Sequence, residues 1–244
     1  MKILISNDDG IFAPGIAALT AAFARAGYEV VICAPDRQRS ATSHSLTIGR
    51  PISVKEMRMP GAAKAYAIGG TPADCVKLGL TVLCPDAEAV ISGVNHGSNL
   101  GTDVLYSGTV AAAMEGAICG RPALAVSQME KRVGFEQSAE LAVRLFERML
   151  AHPLPPLCVL NLNCPVCADI RGVVTAKTEQ LHYRESYARE DVDGEVRYVL
   201  RGAVDDTRAQ SEDYARICEG YATVTVLHAD LEDISSTAAW NGLI

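Results

Sequence analysis

Short runs of β-branched and aliphatic residues alternate with amphipathic stretches over the first two-thirds of the chain, and that rhythm leaves few folds open. Ile3-Leu4-Ile5-Ser6 reads as a buried strand, and the Asp9-Gly10 and Pro14-Gly15 pairs mark a loop. Ile16, Leu19 and Phe23 then recur at helical spacing until Gly27 stops the helix. Glu29 to Ala34 is a second strand, so the chain opens with a βαβ unit, which must close right-handed. The pattern resumes with strands at Ala89–Ser92, Ala123–Ser127 and Leu157–Leu162, and helices at Thr109–Cys119 and Phe135–Leu150. Such alternation predicts a Rossmann-like α/β fold: a mostly parallel sheet with helices on both faces.

Beyond residue 170 the rhythm changes. Val173-Val174-Thr175 is strand-like, Asp193-Gly194 sits between two alternating segments as a hairpin turn does, and Tyr221 to Leu227 alternates Thr with Val as a half-buried strand. Arg201 to Ala215 is charged and reads as exposed loop. The expected organisation is therefore a core over residues 1–170 and a hairpin-rich C-terminal arm over 171–244 that serves oligomerisation and returns one strand to the core.

Only 5 % of residues are aromatic, so the core must be built from Ala, Val, Leu and Ile, which suits helices laid on a buried parallel sheet. A formal charge of −7 repels a phosphate backbone and argues against a polymeric nucleic acid as a stable partner. A small phosphorylated ligand stays compatible, because a bound cation reverses the local field. No apolar run approaches the ~20 residues of a membrane span, and the first residues enter a strand without a signal-peptide pattern, so the expected compartment is the cytoplasm. Of eight cysteines, most sit in apolar runs as small hydrophobes; Cys164 and Cys167 have zinc spacing but no second pair, and read as reduced thiols.

The chemistry-bearing residues follow strand ends, where open α/β sheets bind ligands. Asn7, Asp8 and Asp9 follow the first strand. Adjacent carboxylates repel unless a cation compensates, and their oxygens suit hard ions such as Mg²⁺ or Mn²⁺; Asp also starts turns and caps helices. After the second strand come Asp36-Arg37-Gln38-Arg39-Ser40 and then His44, offering a hydroxyl to a metal and cations to a phosphate. The third loop, Asn95-His96-Gly97-Ser98-Asn99, lets backbone N–H groups approach an anion, and Asn95 supplies an amide oxygen. Ser107-Gly108-Thr109 then opens a helix whose positive end is a phosphate seat. Gly69 to Asp74 is either a fourth wall or a Pro-initiated helix capped by Thr71. His152, His182 and His228 fit no pattern, and neither a Walker motif nor a serine-hydrolase elbow is present.

These blocks closely resemble the survival protein E (SurE) family: Ser6-Asn7-Asp8-Asp9-Gly10, Ala34-Pro35-Asp36-Arg37, Arg39-Ser40, Gly70-Thr71-Pro72-Ala73-Asp74, Ser92-Gly93-Val94-Asn95 and Ser107-Gly108-Thr109-Val110-Ala111-Ala112-Ala113-Met114-Glu115. The likeness is nearly continuous over residues 1–127 and looser beyond. It implies a 5′/3′-nucleotidase acting on nucleoside monophosphates, and in some members on short polyphosphate. It also implies one divalent ion per subunit, Mg²⁺ or Mn²⁺, on Asp8, Asp9, Ser40 and Asn95, and a homodimer or homotetramer with crossing C-terminal arms. His96 and Ser98 stand at variable places, and Ile234 stands where some relatives carry histidine.

The expected mechanism is attack by a metal-activated water, with Asp8 holding the ion and Asp9 orienting or deprotonating the water. Asn99 and the N–H groups of Ser107, Gly108 and Thr109 stabilise the equatorial oxygens, and Asn95, Gly97 and His44 complete the phosphate shell. A receiver-type signalling module needs a third strand-end acid, where Asn95 stands instead. A dinucleotide-binding protein needs glycines where Asp8 and Asp9 stand.

Overall fold

The computed structural model describes residues 1–129, 134–165 and 170–232. Its first strand, β1 (Lys2–Ser6), is an inner strand of a nine-stranded sheet covered by helices on both faces, which is why Ile3 to Ser6 are buried although strand alternation would expose every second one. β2 (Glu29–Pro35) and β5 (Ala89–His96) flank β1 in parallel. Outside β2 lie β4 (Lys64–Ile68), parallel, and β3 (Val54–Met57), antiparallel at the edge. Patterning gives no expectation for these two short strands. On the other side β6 (Ala123–Gln128) and β7 (Cys158–Cys164) continue in parallel. β11 (Ala222–His228) then runs antiparallel to β7, and β8 (Val173–Thr175) closes the edge.

Strand alternation sorts the core into two layers. Ile3, Ile5, Val30 and Ile32 face α1 (Pro14–Arg25) and α4 (Glu136–Ala151). Leu4, Val31 and Cys33 face α2 (Pro72–Leu78) and α3 (Gly108–Ile118). In the first layer Phe23, Tyr28 and Phe146 form an edge-to-face trio with centroids 5.5–5.6 Å apart, an arrangement worth about 0.5–1.5 kcal/mol per pair beyond simple burial. The chain leaves β1 toward β2 on one side, while β5 lies on the other. The crevice beyond the carboxyl ends of β1 and β5 is thus the topological switch point. Gly15 lets α1 close on that crevice, since a Cβ there would stand 1.9 Å from the Val94 carbonyl oxygen.

β9 (Tyr183–Val192) and β10 (Glu195–Val204) form a separate antiparallel hairpin joined by Asp193-Gly194. Both turn residues have positive φ, 53° and 81°, the type I′ geometry that an Asp-Gly pair favours. The expectation of loop over Arg201–Ala215 is corrected here. Arg201 to Val204 complete β10, and α5 (Glu212–Cys218) begins before the stretch ends. A hairpin strand exposed on both faces carries charges as a loop does (Arg201 pairs with Glu190 at 3.1 Å), so composition does not separate the two. Cys33, Cys75, Cys84 and Cys158 are buried free thiols, and Cys164 is buried at the end of β7. Cys167 and Ile234 lie outside the described residues. Among the described residues no helix is long and apolar enough to cross a membrane.

Candidate active site

The loop after β1 is built around Asn7, whose buried amide accepts from the Gly10 N–H at 3.2 Å and donates to the Gly10 carbonyl at 2.9 Å. That clasp turns the chain sharply and leaves Asp8 and Asp9 at its crest. The loop after β2 locks onto it: the Arg39 N–H donates to the Asp8 carbonyl at 2.7 Å, and the Ile11 N–H to the Pro35 carbonyl at 2.9 Å. A Cβ on Gly10 would stand 3.0 Å from the Arg37 backbone, so glycine is required for this approach as well as for its φ of 98°.

Asp8 points toward α3. It is only 4 % exposed, and its Oδ1 accepts from the Thr109 hydroxyl at 2.5 Å. The helix end presses so closely that a Cβ on Gly108 would lie 2.8 Å from the Asp8 Cβ. Burial pushes the Asp8 carboxyl up to about 6; the Thr109 hydroxyl opposes that rise and the neighbouring Asp9 charge adds to it. Asp9 turns the other way. Its Oδ2 accepts from the His96 N–H at 3.1 Å, with the His96 Nδ1 at 3.5 Å, and its Oδ1 faces the Gln38 amide nitrogen at 3.4 Å. Among the described residues, no lysine or arginine pairs with either carboxylate.

The expected metal donors come from the loops after β1 and β2 and from the end of β5. The Gln38 amide nitrogen that reaches Asp9 also donates to the Ser40 Oγ at 2.9 Å, so a carboxylate oxygen and a hydroxyl oxygen converge on one positively polarised group. Asn95 gives its amide nitrogen to the Gly97 carbonyl at 2.9 Å, which leaves its oxygen as the free end. Two carboxylates, a hydroxyl and an amide oxygen form an all-oxygen set suited to Mg²⁺ or Mn²⁺. Among the described residues no group of three or more His, Cys, Asp or Glu side chains is placed to hold a metal, so the donor set depends on the hydroxyl and amide oxygens as well.

The loop carrying Ser40 is tied down over its whole length. Ser43 donates its hydroxyl to the Leu105 carbonyl at 2.6 Å and its N–H to the Tyr106 carbonyl. His44 meets Glu115 at 2.9 Å, and Lys77 meets the same carboxylate at 2.6 Å. Burial of Glu115 raises its pKa, but these two partners outweigh it and hold the pKa below the ordinary value. Further on, Thr47 donates its N–H and hydroxyl to Asp74 at 2.9 and 2.6 Å. Thr71 and Asp74 form a reciprocal capping box that starts α2, so the Gly69–Asp74 stretch is a capped helix start that also anchors this loop.

Asn99 is buried. Its amide nitrogen donates to the Ser127 hydroxyl at 2.7 Å, its N–H to the Asn163 side chain at 2.7 Å, and its carbonyl accepts from Asn161 and Asn163. Ser107 caps α3 through its hydroxyl, which accepts from the Val110 N–H at 3.0 Å. The fold thus brings Asp8, Asp9, Ser40, Asn95, Gly97, Ser107, Gly108 and Thr109 to one sheet edge. His44 is engaged by Glu115, and the side chain of Asn99 by Ser127. Sequence reasoning missed Gln38, the Thr109 hydroxyl as a partner of Asp8, and the Asn161/Asn163 pair. The last left a signal: asparagines at every second position of an apolar strand are buried amides that need partners.

A sequence profile described as survival protein SurE matches residues 3–185. A protein of Synechococcus sp. (strain JA-3-3Ab) named 5′-nucleotidase SurE is 44 % identical, with 95 % of this chain and 93 % of the relative covered. The 5′-nucleotidase SurE of Aeromonas hydrophila is 42 % identical with 98 % of each covered. The crystal structure of the SurE protein from Aquifex aeolicus superposes with a TM-score of 0.85 at 34 % identity, covering 100 % of this chain and 99 % of that one.

Proposed function

The chain belongs to the survival protein SurE family, and from that premise we propose that it is a 5′-nucleotidase that hydrolyses nucleoside monophosphates to nucleoside and phosphate. One observation carries the reading: two adjoining carboxylates, with no lysine or arginine partner among the described residues, stand at the switch point of the sheet, where the loops after β1 and β2 lock together beside the end of β5.

Asp8, Asp9, Ser40 and Asn95 hold one divalent ion, Mg²⁺ or Mn²⁺. When bound, such an ion supplies Lewis acidity toward the phosphoryl group and favours ionisation of water near neutral pH. Asp8 is oriented by Thr109 and Asn95 by Gly97. Asp9 orients the attacking water and takes its proton as the bond from oxygen to phosphorus forms. His96, whose ring nitrogen stands 3.5 Å from Asp9, relays that same proton to the leaving 5′-oxygen as the P–O bond breaks. The Ser107 and Gly108 N–H groups at the positive end of α3 receive phosphoryl oxygens, and Asn99 fixes the floor beneath them. The same geometry accepts 3′-monophosphates and the terminal group of short polyphosphate.

Residues 171–244 supply an oligomerisation arm, and the cytoplasm is the working compartment. The hairpin β9–β10 exposes Tyr187, Val196, Tyr198 and Leu200, and a lone two-stranded hairpin is marginal in water. Pairing with a second copy, as homodimer or homotetramer, covers those side chains. The test of the activity is phosphate release from a panel of mononucleotides and polyphosphate, with and without EDTA, for the native chain and Asp9→Asn. Metal-dependent release that Asp9→Asn abolishes is expected; release unaffected by EDTA, or none from any mononucleotide, overturns the reading.

A further inference from the structure

We propose that the cleft beside Asp9 on the α1 side is the nucleoside subsite, and that Phe12 is the surface on which the base stacks. This inference rests on the nucleotidase reading and names the part of the substrate that the metal and phosphate residues do not touch. The cleft has a volume of about 370 Å³ and is lined by Asp9, Phe12, Asp36, Arg37, Gln38 and His96, among others. That is toward the lower end of the range of about 300–1,000 Å³ for small-molecule sites. Because Asp9 and His96 belong both to this wall and to the carboxylate centre, a phosphate ester seated at the centre can lay its alcohol portion directly into the cleft.

On the other side of the carboxylate pair, α3 packs directly against Asp8. Asp8 is buried against α3, and the space at Gly108 is too small for even a methyl group, with the Asp8 Cβ at 2.8 Å and the Pro72 ring at 3.1 Å from where it would stand. The room for a leaving group as large as a nucleoside lies past Asp9, in the cleft beside α1.

Phe12 marks the cleft as a site for a planar ring. Phe23, Phe135 and Phe146 are buried, whereas Phe12 is 67 % exposed. Its exposure does not come from a loose loop. Ile11 beside it is fully buried and bonded to Pro35, Ala13 donates to Gly10 at 3.0 Å, and Pro14 starts α1. The ring is mounted on backbone held by hydrogen bonds and is largely exposed at the cleft, as base-stacking platforms are. Around it Asp36, Arg37 and Gln38 supply acceptors and donors at the rim for ribose hydroxyls and base edges.

Steady-state phosphate release by the full-length chain tests this with two substrates that differ only in the base: a purine nucleoside 5′-monophosphate and ribose 5-phosphate. Phe12→Ala is expected to lower kcat/KM for the nucleotide by about 5- to 160-fold, the range of ~1–3 kcal/mol found for base–aromatic stacking. It leaves ribose 5-phosphate within about twofold, and Phe12→Trp restores the nucleotide rate. Equal losses on both substrates, or no loss on the nucleotide, overturn the subsite while leaving the nucleotidase reading intact. A native chain inert on all mononucleotides overturns both.

Discussion

Asp74 is the carboxylate through which α2 grips the loop that carries Ser40, and replacing it by alanine isolates what that grip contributes. Its Oδ1 accepts from the Thr47 N–H, and its Oδ2 from the Thr47 hydroxyl and the Thr71 N–H, at 2.6–2.9 Å. A hydrogen bond to a charged group contributes about 1.5–3 kcal/mol when buried, and a capping interaction about 1 kcal/mol. Thr47 and Thr71 are half-buried, so water recovers part of the loss; a net cost of about 3 kcal/mol is expected. At roughly 2–4 °C per kcal/mol for a chain of this size, Asp74→Ala lowers Tm by about 6–12 °C. Asp74→Asn keeps the volume but loses one acceptor, and falls between. The effect also has a pH signature. Burial alone raises the Asp74 pKa, but the bonds from Thr47 and Thr71 outweigh it and leave the folded-state value below the ordinary 3.8. The stabilisation is therefore fully present above that ordinary value and is lost as the pH falls through the lower, folded one. Urea unfolding midpoints for the native chain and Asp74→Ala at pH 7, 5 and 3.5 measure it. The two chains should differ most at pH 7 and 5 and begin to converge at pH 3.5. A difference below about 0.5 kcal/mol at pH 7, or one that widens on acidification, refutes the reasoning.

Two further substitutions probe the α3 end of the site. Gly108→Ala places a Cβ 2.8 Å from the Asp8 Cβ and must displace the helix end or the carboxylate; a loss of kcat/KM of tenfold or more is expected, because shifts on the order of 1 Å cost up to about a hundredfold, and a variant of native activity contradicts the assigned contact. Thr109→Val preserves shape but removes the hydroxyl that holds Asp8; calorimetric titration with Mn²⁺ should show affinity weakened by about 10- to 100-fold, as for other groups that orient metal ligands, and unchanged affinity removes Asp8 from the metal set.

Much of this molecule was legible in one dimension, because the signals involved are local. Strand and helix periods placed β1, β2, β5, β6, β7 and the long helices. Asp193-Gly194 specified its own turn, Thr71-Pro72 its helix start, and Asp8-Asp9 after a strand marked the place where the candidate site lies. The end of β10, Arg201 to Val204, and α5 escaped, since charge alone does not distinguish a solvated strand from a loop. Only the folded chain decided what those residues do to one another. It inserted β4 and β3 beyond β2, and it drew His44 onto Glu115, 71 residues away. It also set Thr109 against Asp8 and turned Asn99 toward Ser127. Each of these depends on strand order and on hydrogen bonds between distant segments, which burial makes obligatory but which no local pattern encodes.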